Sequence, residues 1–205
     1  MTVGCVVVSD RGDLYLPQCL EALAPPMQDW TVPFHVVDDR EHKLGLAGAA
    51  RAAWQIALDE GWDFLLHWEE DFLPNELLPL ENMVEMLEID RVRPDGPQLA
   101  QIVLKRQPWS TEEIAAGGII EKDPDDYRDV FILGLPMVVH RRIFSLNPCL
   151  IPRWVLELGW PDSNEAGMTE RLCVDPNVLF AYYGKLDDPP LVTHVGTVRG
   201  TGWSL

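Results

Sequence analysis

Glu69-Glu70-Asp71 places three carboxylates directly behind the apolar run Phe64-Leu65-Leu66-His67-Trp68. A strand that delivers so much negative charge to one place is costly unless water or a cation receives it. Oxygen-only ligands suit Mg2+ or Mn2+, either of which can bridge protein carboxylates and a substrate diphosphate. A solvated acidic turn is the competing reading, and spacing alone balances the two. Two further apolar runs also end in polar chemistry: Val3–Val8 in Ser9-Asp10-Arg11-Gly12, and Phe34–Val37 in Asp38-Asp39. For Asp38-Asp39, helix capping or a turn competes evenly with ligand binding.

The elements that must position these groups alternate along the chain. Val3–Val8 predicts a buried strand of a parallel sheet. Leu14–Leu23 has helical spacing, with Pro25-Pro26 as its expected stop. Phe34–Val37 predicts a second strand and Phe64–Trp68 a third. Between them Leu46–Glu60 predicts an Ala-rich helix that buries Leu46, Ala50, Ala53, Trp54, Ala57 and Leu58, with Gly61 as its C-terminal cap. Another helix is expected over about 76–89, turning Leu77, Leu80, Val84 and Leu87 inward. This rhythm is that of a doubly wound sheet, where ligands bind beyond the carboxyl ends of the strands. All three strands end there in acidic residues. Leu99–Leu104, Val130–Leu133, Met137–His140 and Leu179–Tyr183 read as later strands. A long polar loop follows the first of these, with one short helix capped by Ser110 and Glu113.

The length of 205 residues fits a single domain. Its 33 acidic and 16 basic side chains give a net charge of −17, which disfavours nonspecific binding to nucleic acid or anionic lipid. Arg91, Arg93, Lys105, Arg106, Arg141 and Arg142 are the material for any local basic patch. Cys5, Cys19, Cys149 and Cys173 show no CxxC pairing, which points to a reducing compartment without a disulfide framework or structural zinc. No apolar run has the length of a membrane span, and no leader precedes the first strand. A cytoplasmic protein is expected.

Val36-Val37-Asp38-Asp39, then Gly45 through Ala50-Arg51, Ala57, Gly61, Phe64 and Glu69-Glu70-Asp71 resemble, in order and spacing, the nucleotide-binding half of family 2-type glycosyltransferases. The resemblance covers roughly residues 3–90. It implies a GT-A fold, an α/β architecture with a mixed, mostly parallel sheet flanked by helices. Residues 1–90 would bind the nucleotide, and 91–205 would carry acceptor binding and catalysis. It implies a nucleotide-sugar donor, with a UDP-sugar favoured, and Mn2+ or Mg2+ as cofactor. Ser9 and Arg11 would line the nucleoside pocket. Asp39, with Asp38, would meet base or ribose, and Arg51 would lie near the donor. Asp71 would be the principal metal ligand, with Glu69 on ribose or metal-bound water and Glu70 also among the donor-binding residues. Glu at position 69, where the family pattern has Asp, leaves that last role open. For Arg51 taken alone, a solvent-facing helix residue is the simpler account.

The resemblance also reaches into the second half. Trp160-Pro161-Asp162-Ser163-Asn164-Glu165 through Arg171 is similar to the family's acidic catalytic segment, and matching Arg171 puts Glu165 at the base position. Asp162 and Glu170 are its rivals. An inverting transfer needs one such carboxylate to take the acceptor's proton. His194 fits the place of a late metal ligand, Arg199 that of a diphosphate contact, and Gly134 opens a segment similar to the strand that closes the donor site. Trp109, Trp160 and Trp203 are candidates for sugar stacking, although tryptophans more often pack.

Other classes fit less well. A dinucleotide-binding enzyme should carry GxGxxG after the first strand, where Ser-Asp-Arg-Gly stands. A nucleotidyltransferase should carry a basic, Gly-rich loop there. No QxxRW motif is present, which argues against a processive polysaccharide synthase. A GT-A-like module that binds carbohydrate or a protein partner without turnover stays open. The acceptor is not written in the sequence; a glycan, a protein hydroxyl or a small molecule is favoured over nucleic acid.

Overall fold

In the computed structural model, residues 1–27, 32–40, 43–91, 97–109, 111, 120 and 122–197 are described. The strand β1, Val3–Ser9, is buried along its whole length because it lies between two helical layers. Its side chains alternate: Val6 and Val8 enter one apolar cluster, and Cys5 and Val7 enter the other. The first cluster is roofed by α2 (Gly45–Asp59), through Ala49, Ala50, Ala53, Trp54 and Ala57. The second is roofed by α1 (Leu16–Met27) and α3 (Leu80–Arg91), through Cys19, Leu23, Leu80, Met83 and Leu87. Leu46 and Leu58 of α2 are only partly buried.

One sheet of eight strands takes members from both halves of the chain. With β2 (Phe34–Asp38), β3 (Phe64–Glu69), β5 (Gln98–Val103), β7 (Arg128–Ile132), β8 (Leu135–His140), β9 (Cys149–Pro152) and β10 (Val178–Tyr183), its order is β2-β1-β3-β9-β5-β10-β8-β7. The pairings make β9 and β8 antiparallel to their neighbours, so the other six strands share one direction. The sheet is therefore mixed and mostly parallel, as expected. Two further helices, the one-turn α4 (Arg153–Leu156) and α5 (Glu165–Leu172), pack through Val155, Leu156, Met168 and Leu172 on the α2 side.

A second, three-stranded sheet is what the sequence did not announce. Its members are β4 (Phe72–Pro74), β11 (Val192–His194) and β6 (Arg106–Gln107), in the order β4-β11-β6. β3 runs on into β4 and β5 runs on into β6, so the small sheet grows out of the carboxyl rim of the large one. β11 zips between them, with His194 opposite Phe72 and Val192 opposite both Pro74 and Arg106.

Several local expectations shift. α1 runs through Pro25-Pro26 to Met27. α3 starts at Leu80, a turn later than expected, directly after Pro79. β9 escaped the sequence because it is four residues long and bracketed by Pro148 and Pro152. β7 stops at Ile132, since Leu133 and Gly134, with φ of 56° and 79°, make a two-residue hairpin turn. Gly61 ends α2 as predicted: at φ 71° its N–H reaches Leu58 O, and Trp62 N–H reaches Ala57 O. The short helix expected at Ser110–Glu113 lies outside the described residues. Among the described residues no helix is long and apolar enough to cross a membrane.

Candidate functional site

The carboxyl ends of β1 and β3 lie side by side, with Val8 registered against Glu69. Glu70, just beyond, turns back into the loop after β1 and is almost wholly buried. Its carboxylate accepts from Ser9 Oγ at 2.6 Å, from the N–H groups of Asp10 and Arg11 at 3.1 and 2.7 Å, and from Arg11 Nε at 3.2 Å. Four donors on one carboxylate make Glu70 the anchor that shapes the Ser9–Arg11 loop. Ser9 and Arg11 are thus both held by Glu70 at the carboxyl end of β1.

Asp71 points the other way, toward β11. Its Oδ2 lies 3.0 Å from His194 Nε2 and 2.8 Å from Arg11 Nη2. Burial works to raise its pKa, but the His194 hydrogen bond and the Arg11 charge outweigh it and hold the carboxyl below its ordinary value. The chain backbone reinforces the pair, because Val195 N–H donates to Asp71 O at 2.8 Å. His194 stacks on Phe72 with ring centroids 4.7 Å apart. Its Nδ1 lies 3.0 Å from Arg106 Nη2, and the Arg106 guanidinium sits over the Trp109 ring at 4.7 Å. A chain of contacts therefore runs Glu70, Arg11, Asp71, His194, Arg106.

Glu69 stands apart from this chain. Its side chain takes no hydrogen bond among the described residues, and its carboxyl is raised well above the ordinary value. Burial is the main cause, followed by the charges of Asp71 and Glu165, with Arg11 and Arg106 opposing. Glu165 opens α5, with Asn164 as the N-cap accepting from Ala166 N–H. The charge of Glu165 adds to the upward shift of the Glu69 carboxyl, and Glu165 Oε1 accepts from Leu146 N–H at 2.5 Å. Its rival Asp162 is instead fully exposed and paired with Arg51. Glu170 lies on the same helix and is exposed.

The remaining candidates separate from this group. Asp39 is buried and accepts from the N–H groups of Leu44 and Gly45 at 2.6 and 2.9 Å, so its carboxylate caps α2. Asp38 pairs with Arg40. Arg51 ties α2 to the loop before α5 through Asp162 and Pro161 O. Gly134 sits in the β7–β8 turn, with β9, β5 and β10 between it and β3, roughly 20 Å across the sheet at the usual strand spacing. The structure does not bring it to the acidic rim. Arg199 and Trp203 lie outside the described residues. The sequence reading left Arg106 in a general basic patch, although its place after an apolar strand is the signal that marked the acidic groups. Tyr15, whose hydroxyl accepts from Thr197 N–H at 3.0 Å, carried no signal at all.

Oxygen and imidazole donors that converge at 3.0 Å suit Mn2+ or Mg2+. Gly196 closes over the pair so tightly that a Cβ there would lie 2.1 Å from Asp71 Oδ2 and 2.7 Å from His194 Nε2. Among the described residues no three His, Cys, Asp or Glu side chains gather into a metal cage. Asp71 and His194 would supply two protein ligands to such a cation.

The fold these elements define is the GT-A type of glycosyltransferases, with its mixed eight-stranded sheet between helices. Among solved structures, the chain is similar to a mutant β-1,4-galactosyltransferase 7 from Drosophila, crystallised with manganese, UDP-Gal and xylobiose. The TM-score is 0.51 at 13% identity, over 100% of this chain and 77% of that one. No protein-family model and no curated protein sequence matches the chain. The likeness is one of fold, and membership of family 2 rests on the sequence resemblance alone.

Proposed function

We propose that this protein is a metal-dependent glycosyltransferase, moving a sugar from a nucleotide-sugar donor to an acceptor hydroxyl with inversion. One observation carries the proposal: Asp71 and His194, 123 residues apart, meet at 3.0 Å on the rim where a GT-A fold binds its donor. In this reading Asp71 and His194 would hold Mn2+ or Mg2+, and the cation would supply positive charge against the departing diphosphate. Ser9 and Arg11 line the nucleoside side. Arg11 and Arg106, on either side of the Asp71–His194 pair, add positive charge where the diphosphate would lie. Glu165 takes the acceptor's proton as the oxygen attacks the anomeric carbon and the sugar–phosphate bond breaks. The neighbour's UDP-Gal and xylobiose support a UDP-sugar donor and a glycan acceptor.

The test is a panel of nucleotide sugars, with and without Mn2+, read by thermal shift and by slow hydrolysis. UDP-sugars are expected to give a Mn2+-dependent shift and hydrolysis, both abolished in Asp71→Ala while the fold survives. A panel without any metal-dependent shift sinks the transferase. It would favour the non-catalytic binding module, in which the Arg11–Asp71–His194–Arg106 chain is simply a structural network.

A further inference from the structure

Gln101 is a polar residue in the middle of the apolar strand β5, Gln98–Val103, and it is completely buried. A buried amide costs stability unless every polar atom finds a partner. Both halves of this amide bind the main chain of one residue: Nε2 donates to Ser145 O at 2.8 Å, and Ser145 N–H donates to Oε1 at 2.8 Å. Ser145 belongs to an irregular segment between β8 and β9, where no strand partner can satisfy its backbone. The segment is keyed further by Asn147 N–H on Ser145 Oγ at 3.1 Å. Its middle residue then does something specific: Leu146 N–H donates to Glu165 Oε1 at 2.5 Å. Its last residue turns to the opposite side of the site, where Asn147 Oδ1 accepts from Arg106 Nη1 at 3.3 Å.

We propose that Gln101 is a positioning residue for Glu165, acting through the Ser145–Asn147 main chain. This rests on the reading of Glu165 as the base. Three consecutive residues thereby span the site, from the proton-accepting carboxylate to the Arg106–His194–Asp71 arm. The buried amide fixes the N–H that aims Glu165. A glutamine that merely fills the core would cost stability when replaced and would not distinguish Glu165 from any other residue. One that aims Glu165 loses its effect on rate once Glu165 can no longer accept a proton.

The test is a double-mutant cycle on Mn2+-dependent hydrolysis of UDP-galactose and UDP-glucose, in which water takes the acceptor's place. Glu165→Gln is expected to lower kcat about 100-fold, and Gln101→Leu about 10- to 100-fold. The double variant should be no slower than Glu165→Gln alone. KM for the UDP-sugar and the Mn2+ thermal shift should stay within about twofold in Gln101→Leu. Gln101→Met, which keeps the length of the side chain but loses both bonds to Ser145, should match Gln101→Leu, and it serves as the variant if Gln101→Leu does not fold. Effects that multiply in the double variant, full kcat in the Gln101 variants, or losses in KM rather than kcat overturn the positioning role alone. Full kcat in Glu165→Gln overturns the assignment of the base, and the role of Gln101 with it.

Discussion

His194 Nε2 lies 3.0 Å from Asp71 Oδ2; His194 ends β11, Asp71 lies between β3 and β4, and the pairing of β11 with β4 brings them together. Asp71→Asn keeps the shape of the side chain and removes its charge. It is expected to abolish the Mn2+-dependent thermal shift and lower donor hydrolysis by about 100-fold or more, a loss of several kcal/mol of transition-state stabilisation. His194→Ala should weaken the Mn2+ shift less. Titration of Mn2+ against the unfolding midpoint measures both.

Gly196 gives a sharper probe, because it lies outside both proposed ligands. A methyl group there would enter the space shared by Asp71 Oδ2 and His194 Nε2. Gly196→Ala is expected to lose the Mn2+ response and also to lower the unfolding midpoint without metal, because the buried Asp71 carboxylate and its His194 partner must shift to make room. An unchanged Mn2+ midpoint would show that the metal does not sit between these two side chains.

Glu70 holds the loop after β1 through four donors, so its charge should matter to stability as well as to any ligand. Glu70→Gln keeps the volume but presents an NH2 group to donors that need an acceptor. A loss of about 2–4 kcal/mol is expected from urea unfolding at neutral pH.

His67 and His140 are buried and neutral, their pKa values pushed down from 6.5 to about 4 and about 3, by burial first and, for His140, then by Arg142. The unfolded chain takes up these protons near pH 6.5 and the folded chain does not. Their contribution to stability is therefore complete above that pH and is lost as pH falls from 6.5 toward 4 and then 3. Each is worth on the order of a few kcal/mol over that window. Urea midpoints measured from pH 7 to pH 4 should fall, and His67→Gln should flatten the slope. A slope unaltered in that variant would place the proton uptake elsewhere.

Gly134 separates the sequence resemblance from the structure. At φ 79° in a hairpin turn with open space around it, Gly134→Ala should cost about 1 kcal/mol of stability through backbone strain. Donor hydrolysis should keep its kcat and KM, because three strands lie between the turn and β3. A raised donor KM would restore Gly134 to the donor site.

The sequence by itself determined a doubly wound α/β scaffold, and its resemblance to glycosyltransferases implied the GT-A type. Continuous apolar runs specify buried strands, 3.6-residue spacing specifies the helices that cover them, and alternation of the two dictates a sheet with its ligands at the carboxyl rim. Asp71 and His194 were visible as local pattern, since one follows an apolar strand and the other sits before glycines, whereas Arg11 and Glu165 were named only through the resemblance. What Asp39 and Glu70 do with their carboxylates was not visible. Both were equally open to ligand, cap or anchor, and only the position of the nearest N–H groups decides among these. The β4-β11-β6 sheet was likewise invisible, because its strands are two or three residues long and pair across more than 80 residues. Arg106, Gln101 and Asn147 owe their places to that long-range pairing and to an irregular segment without periodicity. Local propensity can set an element, but which distant groups share a hydrogen bond is settled only when the core closes around them.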